Sequence, residues 1–383
     1  MNYSFNLLKN QHKYTVLRFT EFLLGSAVNL FSILIPKKNV IIITSSHNNS
    51  FNFNSKYFFE YLIQEEYENL YYLISSGNKR QTLEKEYGKR FISRKKLSEI
   101  FIIISAKTWI SSTLETPFIG LFAGVNRQVI NLGHGAMFKG VGLSEKKVSY
   151  LKRIYYSIII RNFTFFCATS ESQIKLIQNT YGCPAKKVIV TGQPRNDHFY
   201  LNEQRSGIKR VLLAPTWRKN KHVKWSEILS TNLNLYLQEN SIELYFRLHP
   251  FYERKVNIES MSNIKSLNSS LCEEISDFLP SVDLLITDYS SIYIDFLLFR
   301  RPILFLKVLH EDFMQSTGCQ IDYEYFTPGF KVTNDLEIIE KLKLLKETTN
   351  PLPSNYKKVH DSFYLHKSGS SSKRILEILK ISR

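Results

Sequence analysis

DLLITDYSSIYIDFLLFRRPILFL, residues Asp283 to Leu306, reads as a strand, a polar turn, a helix and a second strand. Leu284 to Ile286 form a short apolar run suited to a strand buried on both faces, and Thr287, Asp288, Ser290 and Ser291 arrive where that strand should end. Ile292, Phe296 and Phe299 keep a helical spacing before Pro302 breaks it, and Ile303 to Leu306 resumes as strand. This is a βαβ unit. Asp288 or Ser290 can cap its helix, while the hydroxyls of Ser290 and Ser291 and the free N–H groups of the first turn face any anion beyond the strand end.

The same pattern recurs outward along the chain. VIIITSSHNN (Val40–Asn49), LYYLISSG (Leu70–Gly77), KTWISST (Lys107–Thr113), QVINLGHGAMFKG (Gln128–Gly140) and FFCATSES (Phe165–Ser172) all end an apolar run in small, polar or basic residues. VIVTGQPRND (Val188–Asp197), RVLLAPTWR (Arg210–Arg218) and IELYFRLHP (Ile242–Pro250) continue it. Open α/β sheets place ligands at these carboxyl ends. Strands alternating with helical stretches, without hairpin turn signals, predict parallel sheets covered by helices.

A chain of 383 residues is long for one open sheet, so two domains are expected. The polar stretch LNEQRSGIKR, Leu201 to Arg210, reads as the seam. The expected division is residues 1–36 as an N-terminal segment, 37–205 and 206–355 as two Rossmann-like domains, and 356–383 as a capped terminal helix packing back across both.

Lys and Arg total 51 against 34 Asp and Glu, a formal net charge of +17, which predicts an acidic substrate or surface. Phe22 to Ile35 is apolar but too short to span a bilayer comfortably, and Arg18, Glu21, Lys37 and Lys38 flank it. The reading is an amphipathic helix lying on an anionic membrane surface, against an ordinary core-packed helix. No small-residue cleavage site marks a signal peptide. Cys167, Cys183, Cys272 and Cys319 are scattered without metal-ligand spacing, as suits reduced thiols in the cytoplasm. Neither a Walker loop nor a metal-ligand cluster is present, which argues against an ATPase or a metal hydrolase. No cofactor is expected. The charge has no RNA-binding motif beside it, so nucleic acid is not an expected partner.

Two histidines follow predicted strands directly, His134 in GHGAMFKG and His249 in FRLHP. Gly133 and Gly135 allow close backbone approach around His134. A neutral imidazole is a competent base for a hydroxyl, and Arg247, two positions before His249, adds fixed positive charge on the same strand face. Asp197 in PRND is either an interdomain anchor or a pocket residue, and its turn and cap context favours the structural role.

GHGAMFKGVG, VTGQPRND, LLAPTWR, FRLHP and LLITDYSSIYIDF, in this order, resemble the CDP-glycerol glycerophosphotransferase family of teichoic-acid and capsule assembly. The resemblance runs from about Val40 to Leu306. It implies a GT-B-like pair of Rossmann domains with a cleft between them, an acceptor-facing first domain and a CDP-glycerol-binding second one. It also implies peripheral attachment to the cytoplasmic face of a bacterial membrane. Two places depart from the family pattern: Ala136 stands where a threonine is usual, and HKSGSSSKR, His366 to Arg374, replaces an Asp-Gly element.

Carried over, the resemblance makes His134 the general base for an acceptor hydroxyl and His249 the stabiliser of charge on the transferring phosphoryl group. Ser290, Ser291 and the Ser370, Ser371 and Ser372 hydroxyls would hold the donor pyrophosphate with Asp288 beside them, Arg247 would add charge, and Thr216 would line the nucleotide pocket. The expected reaction moves glycerol phosphate from CDP-glycerol to a lipid-linked glycan or polyol-phosphate acceptor and releases CMP. A glycosyltransferase of the same fold using a nucleotide sugar is the nearest alternative, and a non-catalytic basic lipid- or RNA-binding protein is the alternative of another class.

Overall fold

The computed structural model describes residues 18–201, 207–216, 223–248, 261–268, 271–348 and 352–380. Among these residues, thirteen strands form two wholly parallel sheets. The first contains β1 (Lys38–Thr44), β2 (Leu70–Leu73), β3 (Phe91–Ile92), β4 (Ala106–Ser111), β5 (Gln128–Asn131), β6 (Phe165–Ala168) and β7 (Val188–Val190), in the order β3-β2-β1-β4-β5-β6-β7. The second contains β8 (Arg210–Leu213), β9 (Glu243–Phe246), β10 (Ile264–Ser266), β11 (Leu284–Thr287), β12 (Ile303–Leu306) and β13 (Phe330–Val332), in the order β10-β9-β8-β11-β12-β13. Each is doubly wound, reversing direction between β1 and β4 in the first lobe and between β8 and β11 in the second.

The run that opened the sequence reading folds as expected. β11 pairs with β8 and β12, registering Leu285 with Leu212 and Ile303. Between β11 and β12 lies one short helix, Ile292–Phe296, continued as a 3-10 turn through Phe299. Successive residues of the central strands point to opposite faces, so each strand supplies two cores. Ile42 joins one face of the first sheet, Ile41 and Ile43 the other. In the second, Leu212 and Leu285 face one layer of helices while Val211, Leu213, Leu284 and Ile286 face the other. Burial on both faces explains why these strands read as unbroken apolar runs.

Segments cross between the lobes. Ala136 and Phe138, from the loop after β5, are buried in the second lobe's core. There Gly140 N–H donates to Gly318 O (3.0 Å) and Gln320 N–H to Phe138 O (2.9 Å). The helix Tyr356–Phe363 buries Tyr356, Val359 and Phe363 in the second lobe, whereas the following helix, Ser371–Leu379, buries Ile375 and Leu379 in the first.

Residues 18–32 are helical. This helix packs Phe22 and Val28 against the first lobe's core and seats two polar residues there as well: Asn29 is 1% and Ser32 2% exposed, and the Asn29 amide donates to the carbonyls of Phe118 and Leu121, both at 3.0 Å. At Gly25 a Cβ would lie 2.0 Å from Ile119 O, so only glycine permits this approach. The outward side carries Phe19, Leu23, Leu24, Leu30 and Phe31, all exposed, and Leu34 just beyond the helix is 80% exposed.

Candidate active site

The loop after β5 carries His134 between Gly133 and Gly135, at φ +72° and +148°. A Cβ on Gly135 would lie 3.2 Å from Ser291 Oγ and 3.1 Å from an Arg195 nitrogen, so the loop meets the second lobe as closely as backbone can. Asn54 braces it by donating to Gly133 O (2.7 Å) and accepting from Arg195 N–H (3.1 Å). Arg195 in turn donates to His134 O (3.1 Å) and pairs with Asp295 on the helix after β11. That pair is buried, each side chain 5% exposed, and it joins the two lobes directly beside His134. Arg195 stays a cation; burial raises the Asp295 pKa and the guanidinium opposes the rise.

The His134 ring is open to solvent yet has protein around it, with the Phe53 ring 5.8 Å away. Loss of hydration, followed by the charges of Arg195 and Lys139, lowers its pKa from 6.5 to about 4, and a hydrogen bond to the Ser112 backbone works against them. The ring is therefore neutral near pH 7. Donation to Ser112 fixes one nitrogen as N–H and leaves the other as a proton acceptor. Lys139, five residues on in the same loop, is depressed by burial, with Asp288 and Cys319 opposing. Its ammonium has no hydrogen-bond partner among the described residues.

Ser290 and Ser291 lie on the turn that meets His134, half-buried, their hydroxyls without a hydrogen bond among the described residues. Asp288, 1% exposed, accepts from the N–H groups of Thr216 and Tyr289, both at 2.6 Å, and so locks the ends of β8 and β11 together. The Thr216 hydroxyl is shut from solvent and has no partner among the described residues. Asp288 thus holds Thr216 beside the turn that carries Ser290 and Ser291.

Other expected site residues are engaged with protein partners. The Arg247 guanidinium donates to the carbonyls of Leu267 (2.9 Å), Cys272 (2.6 Å) and Glu273 (3.4 Å), and so shapes the loop bearing Glu273 and Glu274. Ser371 and Ser372 give their N–H groups to Asp197, at 2.8 and 2.9 Å, and the Ser372 hydroxyl donates there too. Ser370 precedes them at the start of that helix. No hydrogen bond joins these three serines to Ser290 or Ser291 among the described residues. Asp197 thereby anchors the 371–379 helix to the first lobe. His249 lies outside the described residues.

The structure adds groups that strand-end reading did not single out: Lys139, Arg195 with Asp295, Asn54 and Glu274. Glu274 accepts from the Phe53 N–H across the lobes (2.7 Å), next to Asp277, which accepts from Lys56 and Tyr57 at 2.6 Å each. A signal for two of them was present, since Lys139 and Arg195 are charges inside the GHGAMFKG and PRND motifs.

Residues 26–380 match the sequence model of a family described as CDP-glycerol:poly(glycerophosphate) glycerophosphotransferase. The chain is 23% identical to a teichoic acid glycerol-phosphate transferase of Staphylococcus aureus, over 96% of this chain and 99% of that one. It is 24% identical to a teichoic acid poly(glycerol phosphate) polymerase of Bacillus subtilis over 89% of its own length, and spans 48% of that longer protein. Among solved structures, the wall teichoic acid polymerase TagF superimposes with a TM-score of 0.74 at 19% identity, covering 97% of both chains. That likeness establishes the shared fold of two parallel-sheet α/β domains.

Proposed function

This chain belongs to the CDP-glycerol:poly(glycerophosphate) glycerophosphotransferase family, and from that premise we propose how it works and on what. It transfers glycerol phosphate from CDP-glycerol to a hydroxyl of a polyol-phosphate or lipid-linked glycan acceptor. The acceptor oxygen attacks the glycerol-bearing phosphorus, the bond from that phosphorus to the bridging oxygen breaks, and CMP leaves with the electron pair. The carrying observation is the placement of His134 on a loop whose next residue, Gly135, comes up against Ser291 of the opposite lobe, where burial and the charges of Arg195 and Lys139 lower the imidazole pKa. Its free ring nitrogen takes the acceptor proton. The hydroxyls of Ser290, Ser291 and Thr216 and the ammonium of Lys139 are the groups suited to the donor's phosphates. Transfer of this kind needs little covalent help, so alignment and charge stabilisation dominate. Arg247, Asp288 and Ser370 to Ser372 support the crevice through the loops they hold, and His249 keeps the phosphoryl-stabilising role that the motif FRLHP suggests.

Incubating the purified protein with CDP-glycerol, CDP-ribitol and nucleotide sugars tests the donor, because phosphoryl transfer releases CMP and sugar transfer a nucleoside diphosphate. His134→Ala is expected to lower turnover at least about a hundredfold, the lower range for lost acid–base catalysis. Turnover near wild type in that variant removes His134 from the mechanism.

The enzyme works as a peripheral protein on an anionic membrane surface. No helix among the described residues is long and apolar enough to cross a membrane. The helix at 18–32 nevertheless buries Asn29 and Ser32 and exposes Leu24 at 69% and Phe31 at 57%, the reverse of a helix whose outer side meets water. Beside it, the helices Leu97–Ser105 and Tyr150–Asn162 expose Leu97, Phe101, Tyr150 and Leu151. Ser32 bonds Ile104 O (2.9 Å) and the Phe22 and Tyr155 rings lie 6.5 Å apart, so the three helices form one side of the first lobe.

A further inference from the structure

The crevice at the direction reversal of the second sheet carries Thr216, Asp288 and the paired serines; the first sheet has an equivalent crevice that the mechanism leaves unused. Between the carboxyl ends of β1 and β4 lies a pocket of about 130 Å³ whose walls include Arg18, Arg94, Glu21, Glu115, Asn48 and Thr116. Open α/β sheets bind ligands at this topological position. The β1 side of the wall is built from His47 and Asn48 at φ +57° and +52°, a conformation disfavoured for side-chain-bearing residues, with Asn48 held by Thr116 O at 3.2 Å. A space of this size holds one phosphate, and its open side leaves room for the groups attached to it.

The charges differ in how far they are committed. Arg18 pairs with Glu115 at 2.9 Å and meets the His47 ring at 3.2 Å. Arg94 donates one long bond, 3.4 Å, to Pro117 O, which leaves most of its donors uncommitted among the described residues. Glu115 already accepts from Arg18 and the His47 N–H, Asn48 from the Thr44 hydroxyl, and Thr116 donates its hydroxyl to Phe118 O, so Glu21, 3.9 Å from Arg18, is the carboxylate placed to accept from a hydroxyl. Two loops connect this pocket to the base. The loop after β4 runs from Ser112, bonded to the His134 ring, to Glu115, three residues that span at most about 11 Å. The loop after β1 runs from His47 to Phe53, whose ring lies against His134. Arg18 sits on the helix with the apolar outer side, so the pocket lies beside the proposed membrane contact.

We infer that this pocket binds a phosphodiester of the acceptor together with its neighbouring hydroxyls, Arg94 contacting the phosphate. The inference rests on the glycerophosphate-transfer reading and names a second contact for its acceptor. R94A tests it, with R94K as a variant that keeps the charge and an unchanged thermal midpoint as the check on folding. In calorimetry without donor, a synthetic glycerol phosphate dimer should bind wild type and lose affinity at least about tenfold in R94A, the usual worth of a charge-assisted hydrogen bond. In turnover, KM for acceptor should rise at least about tenfold while KM for CDP-glycerol stays within about twofold. Equal dimer affinity in R94A, or equal rises in both KM values, overturns the assignment. Inorganic phosphate binding as tightly as the dimer overturns it in favour of a free-anion site, and Arg94-dependent binding of anionic vesicles but not of dimer overturns it in favour of a lipid headgroup. If wild type releases no CMP the transfer reading fails by itself, and the calorimetry still decides whether the pocket holds a phosphodiester.

Discussion

His134 and Lys139 share one loop, and the charge of Lys139 acts on the imidazole. Lys139 and Arg195 help to keep the imidazole neutral by repelling its proton. Removing one of those charges in Lys139→Met should move the acid limb of the kcat/KM profile to higher pH and lower kcat/KM by about tenfold or more through the lost phosphate contact. A limb unmoved in that variant would show that Lys139 does not face the base. The same shift affects stability. Because the folded pKa, about 4, lies below the unfolded 6.5, the unfolded chain binds the extra proton within that window. His134 therefore costs stability as pH falls from about 6.5 toward 4, and nothing above that range. Strand-end position and flanking glycines made His134 legible in the sequence. Arg195 stood out only as a charge within PRND; its pairing was not legible, since Asp295 is distant in sequence and only the meeting of the lobes brings them together.

Among the elements, the central strands were readable because burial on both faces leaves continuous apolar runs. β3, β10 and β13 were not anticipated. They have two, three and three residues, and each lies at the edge of its sheet, where short length and one missing neighbour erase the pattern. The helix at 18–32 was legible as an apolar segment, whereas its orientation depends on Asn29 and Gly25 seating it on the loop around Ile119. A Leu24→Asp, Phe31→Asp double variant should weaken co-sedimentation with anionic vesicles at least about tenfold, as expected when two large apolar side chains lose a lipid contact. CMP release with a soluble acceptor should persist. Undiminished vesicle binding would move the membrane contact off this helix.

The two sheets behave as one molecule because so much crosses between them: the Arg195–Asp295 pair, the hydrogen bonds of Phe53, Lys56 and Tyr57 to Glu274 and Asp277, and the Phe138 loop in the second core. Scanning calorimetry should record a single unfolding transition, and two well-separated ones would show that these joints contribute little. The placement of residues 371–379 has a further consequence for how the protein is made. Ile375 and Leu379 complete a core whose strands are synthesised first, yet they leave the ribosome only after the whole second sheet. The half translated earliest is thus sealed late, and the nascent chain cannot assemble a finished first lobe before its partner has emerged.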